Sequence, residues 1–218
     1  MRFKGVLFDL DGVLLKSMEQ HLEAWQHAFS RFKALINEAD FYQLEGRGVR
    51  SVVKALTQKY GIAPEFHEEI IRDKIKCYES IFNPEFYDGL YGVLDLLKKH
   101  QIKMAVVTGG QRDRVQKITA DYFSGYFLGE VTSDDVVHTK PYPEPYLKGA
   151  EMVKLSPSEC IVVENAPLGI QAAKAAGMRV LAIATTLPKS ELTQADFIFD
   201  HFDQIEAWFQ GELVTADA

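Results

Sequence analysis

Short apolar runs, each ending in a polar cluster, recur along the chain. Phe3 to Phe8 is apolar except at Lys4 and Gly5, the pattern of a short buried strand, and it runs into Asp9-Leu10-Asp11-Gly12. Beyond residue 86 strand-like and helix-like stretches alternate up to about residue 200, as βαβ units of a parallel sheet require. Ile102 to Val107, Phe127 to Val131, Cys160 to Val163 and Val180 to Ala184 read as strands, with Ala195 to Asp200 a final edge strand. Gln111 to Tyr122 and Pro143 to Val153 have helical spacing, the second with proline at an acceptable helix start. Ser156 to Glu159 predicts a capping-box turn before the strand that follows it. Pro167 to Ala176 is an alanine-rich helix former that Gly177 would stop. Phe202 to Gln210 predicts a terminal helix, and Glu212 to Ala218 a frayed tail.

Residues 17–83 have a different texture. Ser17 to Phe32, Val49 to Tyr60 and Glu65 to Phe82 carry helical spacing, punctuated by Gly61 and Asn83-Pro84, and no strand pattern stands out. The expected fold is therefore α/β: a Rossmann-like parallel sheet core formed by residues 1–15 and 86–218, with an all-helical unit of residues 16–85 inserted after the first strand. Such an insert reads as a lid over the carboxyl edge of the sheet, hinged near residues 14–17 and 83–88.

Composition narrows the classes. The 218 residues suit one large domain, or one domain with an insert, and 47% hydrophobic with 25% charged residues is ordinary for a soluble globular protein. A net charge of −7 argues against a nucleic-acid binder, and no apolar run approaches the length of a membrane span. Two distant cysteines, Cys77 and Cys160, read as reduced thiols, and Met1 to Lys4 leads straight into the first strand without room for a signal peptide. A soluble, cytoplasmic monomer is expected.

Ligands of open parallel sheets bind beyond the carboxyl ends of the strands. The polar clusters lie at such ends, so a single fold gathers them. Asp9 and Asp11 would supply a nucleophile and a proton-transfer group, although a bare Asp-x-Asp is more often only a turn. Gly12 lets the backbone approach a phosphate. Thr108 with Gly109 and Gly110 offers a hydroxyl and N–H groups to a phosphate oxygen, or simply ends a strand. Lys140 lies among Pro141, Pro143 and Pro145, which stiffen its surroundings as a cation held beside a nucleophile would need. Glu164 is a carboxylate leaving a buried strand, awkward unless paired or metal-bound, and Asn165 adds a neutral oxygen ligand. Together these are the parts for Mg2+-assisted phosphoryl transfer through an aspartyl-phosphate. No dinucleotide fingerprint, P-loop, zinc spacing or Ser/Cys nucleophile motif is present.

The ordered set Asp9-x-Asp11-Gly12, Thr108, Lys140-Pro141 and Glu164-Asn165…Gly169…Ala172-Ala173…Ala176-Gly177 resembles the haloacid dehalogenase superfamily, on its β-phosphoglucomutase and phosphoglycolate phosphatase branch with a helical cap. The resemblance implies Asp9 as nucleophile and Asp11 as general acid/base. It implies that Thr108 and Lys140 bind the transferring phosphoryl group, and that Mg2+ is held by Asp9, the Asp11 backbone carbonyl and the pair Glu164 and Asn165. Met18 to Trp25 resembles the first cap helix of sugar-phosphate mutases, so His21 would contact Asp11 or a substrate hydroxyl, or else merely pack with Trp25. Arg47, in a glycine-flanked loop, would reach the distal part of the substrate. Two departures stand out: Asn165 where many relatives carry Asp, and Lys16 where Asp is frequent. The function implied is a Mg2+-dependent phosphatase of a small phosphorylated metabolite, a sugar phosphate or phosphoglycolate. A phosphomutase is the alternative, and a non-catalytic sensor of such metabolites a third reading.

Overall fold

In the computed structural model, which describes residues 3–214, the first strand β1 (Gly5–Phe8) becomes the centre of the sheet. The chain then forms α1 (Met18–Ser30), α2 (Glu38–Tyr42), α3 (Val49–Tyr60) and α4 (His67–Ile81) before returning through α5 (Leu90–Lys99). After it come β2 (Lys103–Val107), α6 (Arg112–Tyr122), β3 (Glu130–Val131), α7 (Glu144–Met152), β4 (Cys160–Glu164) and α8 (Pro167–Ala175). β5 (Arg179–Ile183), β6 (Phe197–Phe199) and α9 (Phe202–Val214) complete the described residues.

The six strands pair in parallel in the order β3-β2-β1-β4-β5-β6. Strand order reverses beside β1, which is where a doubly wound sheet opens a crevice at its carboxyl edge. The pleat of β1 sends Val6 and Phe8 to one face, against Leu94 and Leu97 of α5, Val115 of α6 and Phe209 of α9. Leu7 points to the other face, against Tyr146 and Ala150 of α7 and Ile170 and Ala173 of α8. Burial on both faces explains why these strands are continuous apolar runs rather than alternating ones.

Helices α1 to α4 enclose their own core, with Leu22, Trp25, Phe29, Phe41, Val53 and Ile70 buried together. This is the inserted all-helical cap. Its two connections touch: Lys16 N donates to Glu85 O at 2.9 Å, and Gln20 on α1 bonds to the backbone of Asn83 through Nε2 (2.8 Å) and Oε1 (2.9 Å).

Two helices stand where the sequence reading placed none. α5 has the spacing of an amphipathic helix at Leu90, Val93, Leu94 and Leu97, all fully buried, each contributing about 1.5–3 kcal/mol of apolar burial. α2 is a five-residue helix capped by Asn37, whose side chain accepts from Asp40 N at 2.8 Å. Strand β3 is shorter than the expected run, because Phe127 turns into the core against Phe8. At the terminus α9 continues to Val214, and the rest of the expected frayed tail lies outside the described residues, as do Met1 and Arg2.

Candidate active site

Asp9 follows β1 directly, Thr108 follows β2, and Glu164 ends β4, so the parallel register of these three strands brings them to one edge. Lys140, from the loop before α7, lies between them fully buried. Its ammonium donates to Asp9 Oδ1 at 2.7 Å, to Glu164 Oε1 at 2.7 Å and to the Val107 carbonyl at 3.1 Å. It also sits over the Tyr146 ring, 4.9 Å from the centroid. Burial alone would push this ammonium down, but the carboxylates of Asp9 and Glu164 outweigh it and hold Lys140 above the ordinary lysine value. Burial, helped by Glu164, pushes the Asp9 carboxyl up to about 7 against the pull of Lys140. Glu164 is saturated: Oε1 also accepts from Tyr146 OH at 2.9 Å, and Oε2 accepts from the backbone N–H of Asn165 (2.8 Å) and Ala166 (3.0 Å).

Asp11 meets a second set of partners. Arg114 of α6 donates to both of its oxygens, at 2.8 and 2.5 Å, Ser17 donates at 2.5 Å, and His21 Nε2 lies 3.1 Å from Oδ1. Burial works to raise the Asp11 carboxyl, yet the charge of Arg114 and the contact with His21 hold it well below the usual carboxylate range. His21 does pack, but against Tyr78, with rings stacked 4.2 Å apart, while its Nδ1 accepts from Lys74 at 2.9 Å. Burial and the adjacent Lys74 push His21 down to about 3, so it is neutral and carries its proton on Nε2, toward Asp11. Trp25 belongs to the cap core.

Around Asn165 the cap and core interlock. Asn165 Nδ2 donates to Glu45 Oε1 in the loop between α2 and α3, and to Thr186 Oγ1 at 3.0 Å. Thr186 in turn donates to Glu45 Oε2 at 2.8 Å. Burial raises the Glu45 carboxyl well above the ordinary value, against these two hydrogen bonds. Gly12 lies beneath, at φ 84°, where a Cβ would come 2.1 Å from Asn165 Nδ2; only glycine fits both the backbone and the space. The Asn165 side-chain oxygen is buried without a hydrogen-bond partner. Among the described residues no three His, Cys, Asp or Glu side chains cluster as a metal cage. Mg2+ does not need one: it takes one or two carboxylates and fills its octahedron with substrate phosphate and water. An unpartnered amide oxygen on a side chain packed against Gly12, the residue after Asp11, fits that donor set.

Asp9, Asp11, His21, Glu45, Thr108 and Arg114 line a cleft of about 790 Å3 between cap and core. Thr108 Oγ1 accepts from Gly110 N at 3.0 Å, and Gly109 lies under the cap loop, where a Cβ would approach the Arg47 carbonyl oxygen to 2.8 Å. Arg47 lines the cleft with its Nε buried and unpartnered. The sequence reading overlooked Glu45, Lys74, Tyr78, Arg114, Tyr146 and Thr186, all drawn in by the fold.

Parallel core, inserted helical cap and acid–lysine cluster at the strand ends together define a capped α/β enzyme. A profile of haloacid dehalogenase-like hydrolases matches residues 3–177, and the chain belongs to that family. It is similar to hexitol phosphatase A of Escherichia coli (strain K12), 31% identical over 212 residues, which are 94% of each chain. It is also similar to validoxylamine A 7'-phosphate phosphatase of Streptomyces hygroscopicus subsp. limoneus, at 28% identity over 93% of this chain and 96% of that one. Among solved structures, a Bacteroides vulgatus protein provisionally named beta-phosphoglucomutase superposes with a TM-score of 0.87 and 31% identity, covering 98% of this chain and 90% of its own. The chain is accordingly an enzyme of the phosphoric monoester hydrolase or phosphomutase kind. Among the described residues no helix is long and apolar enough to cross a membrane.

Proposed function

We propose that the chain is a Mg2+-dependent phosphatase acting on a small phosphorylated metabolite, of the sugar-phosphate or phosphoglycolate type, through an aspartyl-phosphate on Asp9. The observation that carries this reading is the buried Lys140 ammonium, which bridges Glu164 to Asp9, the acid that lines the cleft. With Oδ1 of Asp9 held by Lys140, Oδ2 is the attacking atom. It forms a bond to phosphorus as the ester oxygen leaves, and Asp11 gives that oxygen its proton. In the second half Asp11 takes a proton from water, whose oxygen displaces Asp9 and releases phosphate. Asp11 must leave its Arg114 clamp to pick up the first proton, and substrate entering beside His21 is the natural trigger. Thr108 and Lys140 hold the phosphoryl oxygens, and Arg47 the remainder of the substrate.

Asp9, the backbone carbonyl of Asp11 and Asn165 would hold Mg2+, which neutralises charge on the phosphoryl oxygens. Glu164 serves that set from behind, since its oxygens are spent on Lys140, Tyr146 and the 165–166 backbone. All these groups come from one chain, so a monomer suffices, and the free thiols of Cys77 and Cys160 fit a cytoplasmic setting.

The phosphomutase reading has its own observation: His21 bonded to Asp11 places a cap group at the proton-transfer site, where a sugar hydroxyl would be exchanged. Phosphate release from a panel of phosphorylated sugars, phosphoglycolate and nucleotides, with Mg2+ or EDTA, separates the two. Metal-dependent release lost in Asp9→Asn supports the phosphatase. Conversion of one hexose phosphate into another without phosphate release would replace it by the mutase. Binding without either reaction would make the chain a sensor.

A further inference from the structure

The side-chain amide of Asn165 has two ends of nearly equal shape, one a donor and one an acceptor. Its core neighbour cannot choose between them, because the Thr186 hydroxyl can accept from the NH2 group or donate to the oxygen. Glu45 can choose. Its carboxylate takes the NH2 group on Oε1 and the Thr186 hydroxyl on Oε2, closing a three-membered ring of hydrogen bonds. The Asn165 oxygen is thereby turned away, buried and without a partner. Glu45 is itself buried, and it belongs to the cap, between α2 and α3.

We propose that Glu45 is a positioning residue for the cation site, selecting the oxygen end of Asn165 as the ligand and supplying from the cap a carboxylate beside the neutral amide. The inference rests on the reading of Asn165 as a Mg2+ ligand. Its consequence is linkage: the site is complete only with the cap docked, so Mg2+ binding favours docking and docking tightens Mg2+ to the same degree. It also gives Asn165 a reason. An aspartate there would face Glu45 oxygen to oxygen and could be held only by taking a proton between the two, whereas the Asn and Glu pair needs none.

The test is a calorimetric titration of Mg2+, without substrate, into the full chain as wild type, Glu45→Gln, Asn165→Asp, the double variant and Asn165→Ala, each shown folded by circular dichroism. Glu45→Gln should weaken Mg2+ about tenfold, because glutamine can offer either end to the amide and the selection is lost. In the Asn165→Asp background the same substitution should instead tighten Mg2+ about tenfold, since it removes the carboxylate opposition. Limited proteolysis at the cap connections should show Mg2+ protection in wild type and little in Glu45→Gln. A Glu45→Gln effect of the same sign in both backgrounds, or none in either, overturns the inference while leaving Mg2+ binding intact. Mg2+ affinity unchanged in Asn165→Ala, or no binding to wild type, overturns the ligand set and the inference with it.

Discussion

Lys140 sits between two acids that would otherwise repel one another inside the protein. Removing its charge leaves Asp9 and Glu164 buried and unpaired, the situation in which deleting one partner of an ion pair costs about 3–5 kcal/mol. Lys140→Met should therefore lose both activity and roughly that much stability in urea titration at pH 8; a variant as stable as wild type would show that the cation is not needed to hold the acids. Lys74 illustrates the opposite balance. Burial, and then Arg114, push its ammonium down from 10.5 to about 7, with Asp11 acting the other way. Between those two values the unfolded chain binds more protons than the folded one, so this group makes stability rise with pH across the window. Lys74→Met should stabilise the protein at pH 7, on the order of 2 kcal/mol, and less at pH 9. Equal gains at both pH values would rule out the depressed ammonium. The two lysines also differ in how visible they are in the sequence. Lys140 announces itself by its prolines and its order among the acids, whereas Lys74, Tyr78 and Arg114 are single polar residues on amphipathic helices, where the ordinary reading is a solvated face. Only the docking of α4 and α6 over the Asp9 and Asp11 turn gives them partners.

The strands at the centre of the sheet were readable because burial on both faces demands apolar runs, and β1, β2, β4 and β5 are such runs apart from a charged residue at one end of β2, β4 and β5. Helices were read less evenly. α5 carries a clear helical period but begins after Gly89 at φ 80° with no side-chain cap, so nothing marks its start. α2 is too short to show a period at all. α8 was anticipated from its proline, its alanines and Gly177, but not the reason for Gly169 within it. A glycine in a helix interior is ordinarily worse than alanine by about 1 kcal/mol. Here a Cβ would stand 1.7 Å from Glu164 Oε1, and Glu164 cannot swing aside because four donors hold it. Gly169→Ala should thus reverse the usual sign, costing about 2 kcal/mol in urea titration and lowering turnover as Lys140 is displaced. A stabilised, fully active Gly169→Ala protein would show that Glu164 has room to move.

Cap and core meet as two separately packed bodies, the cap around one apolar cluster and the core around one on each face of its sheet, joined where Lys16 and Glu85 run side by side. The contacts across the cleft include Glu45 on Asn165 and Thr186, His21 on Asp11, Tyr78 on Arg114, and Gly109 beneath the Arg47 carbonyl, all made by backbone and polar groups. Such an interface can separate without exposing a hydrophobic core, as a cap must if a substrate is to reach Asp9 at the bottom of the cleft. Sequence texture showed helical spacing in this stretch, but not which residues latch it to the core, because its one buried acid, Glu45, lies in a loop with no motif. The docked arrangement suggests its own lock. A Cβ built on Gly48, at the start of α3, lies 3.5 Å from the Cβ of Ser133 in the core, within the span of a disulfide. Gly48→Cys combined with Ser133→Cys should therefore form a bond that holds the cap down. Oxidised, the double variant should lose turnover by about tenfold or more and recover it with reductant, while each single variant stays active in both conditions. If the bond forms and kcat is unchanged, substrate enters and product leaves with the cap in place, and opening is not part of the cycle.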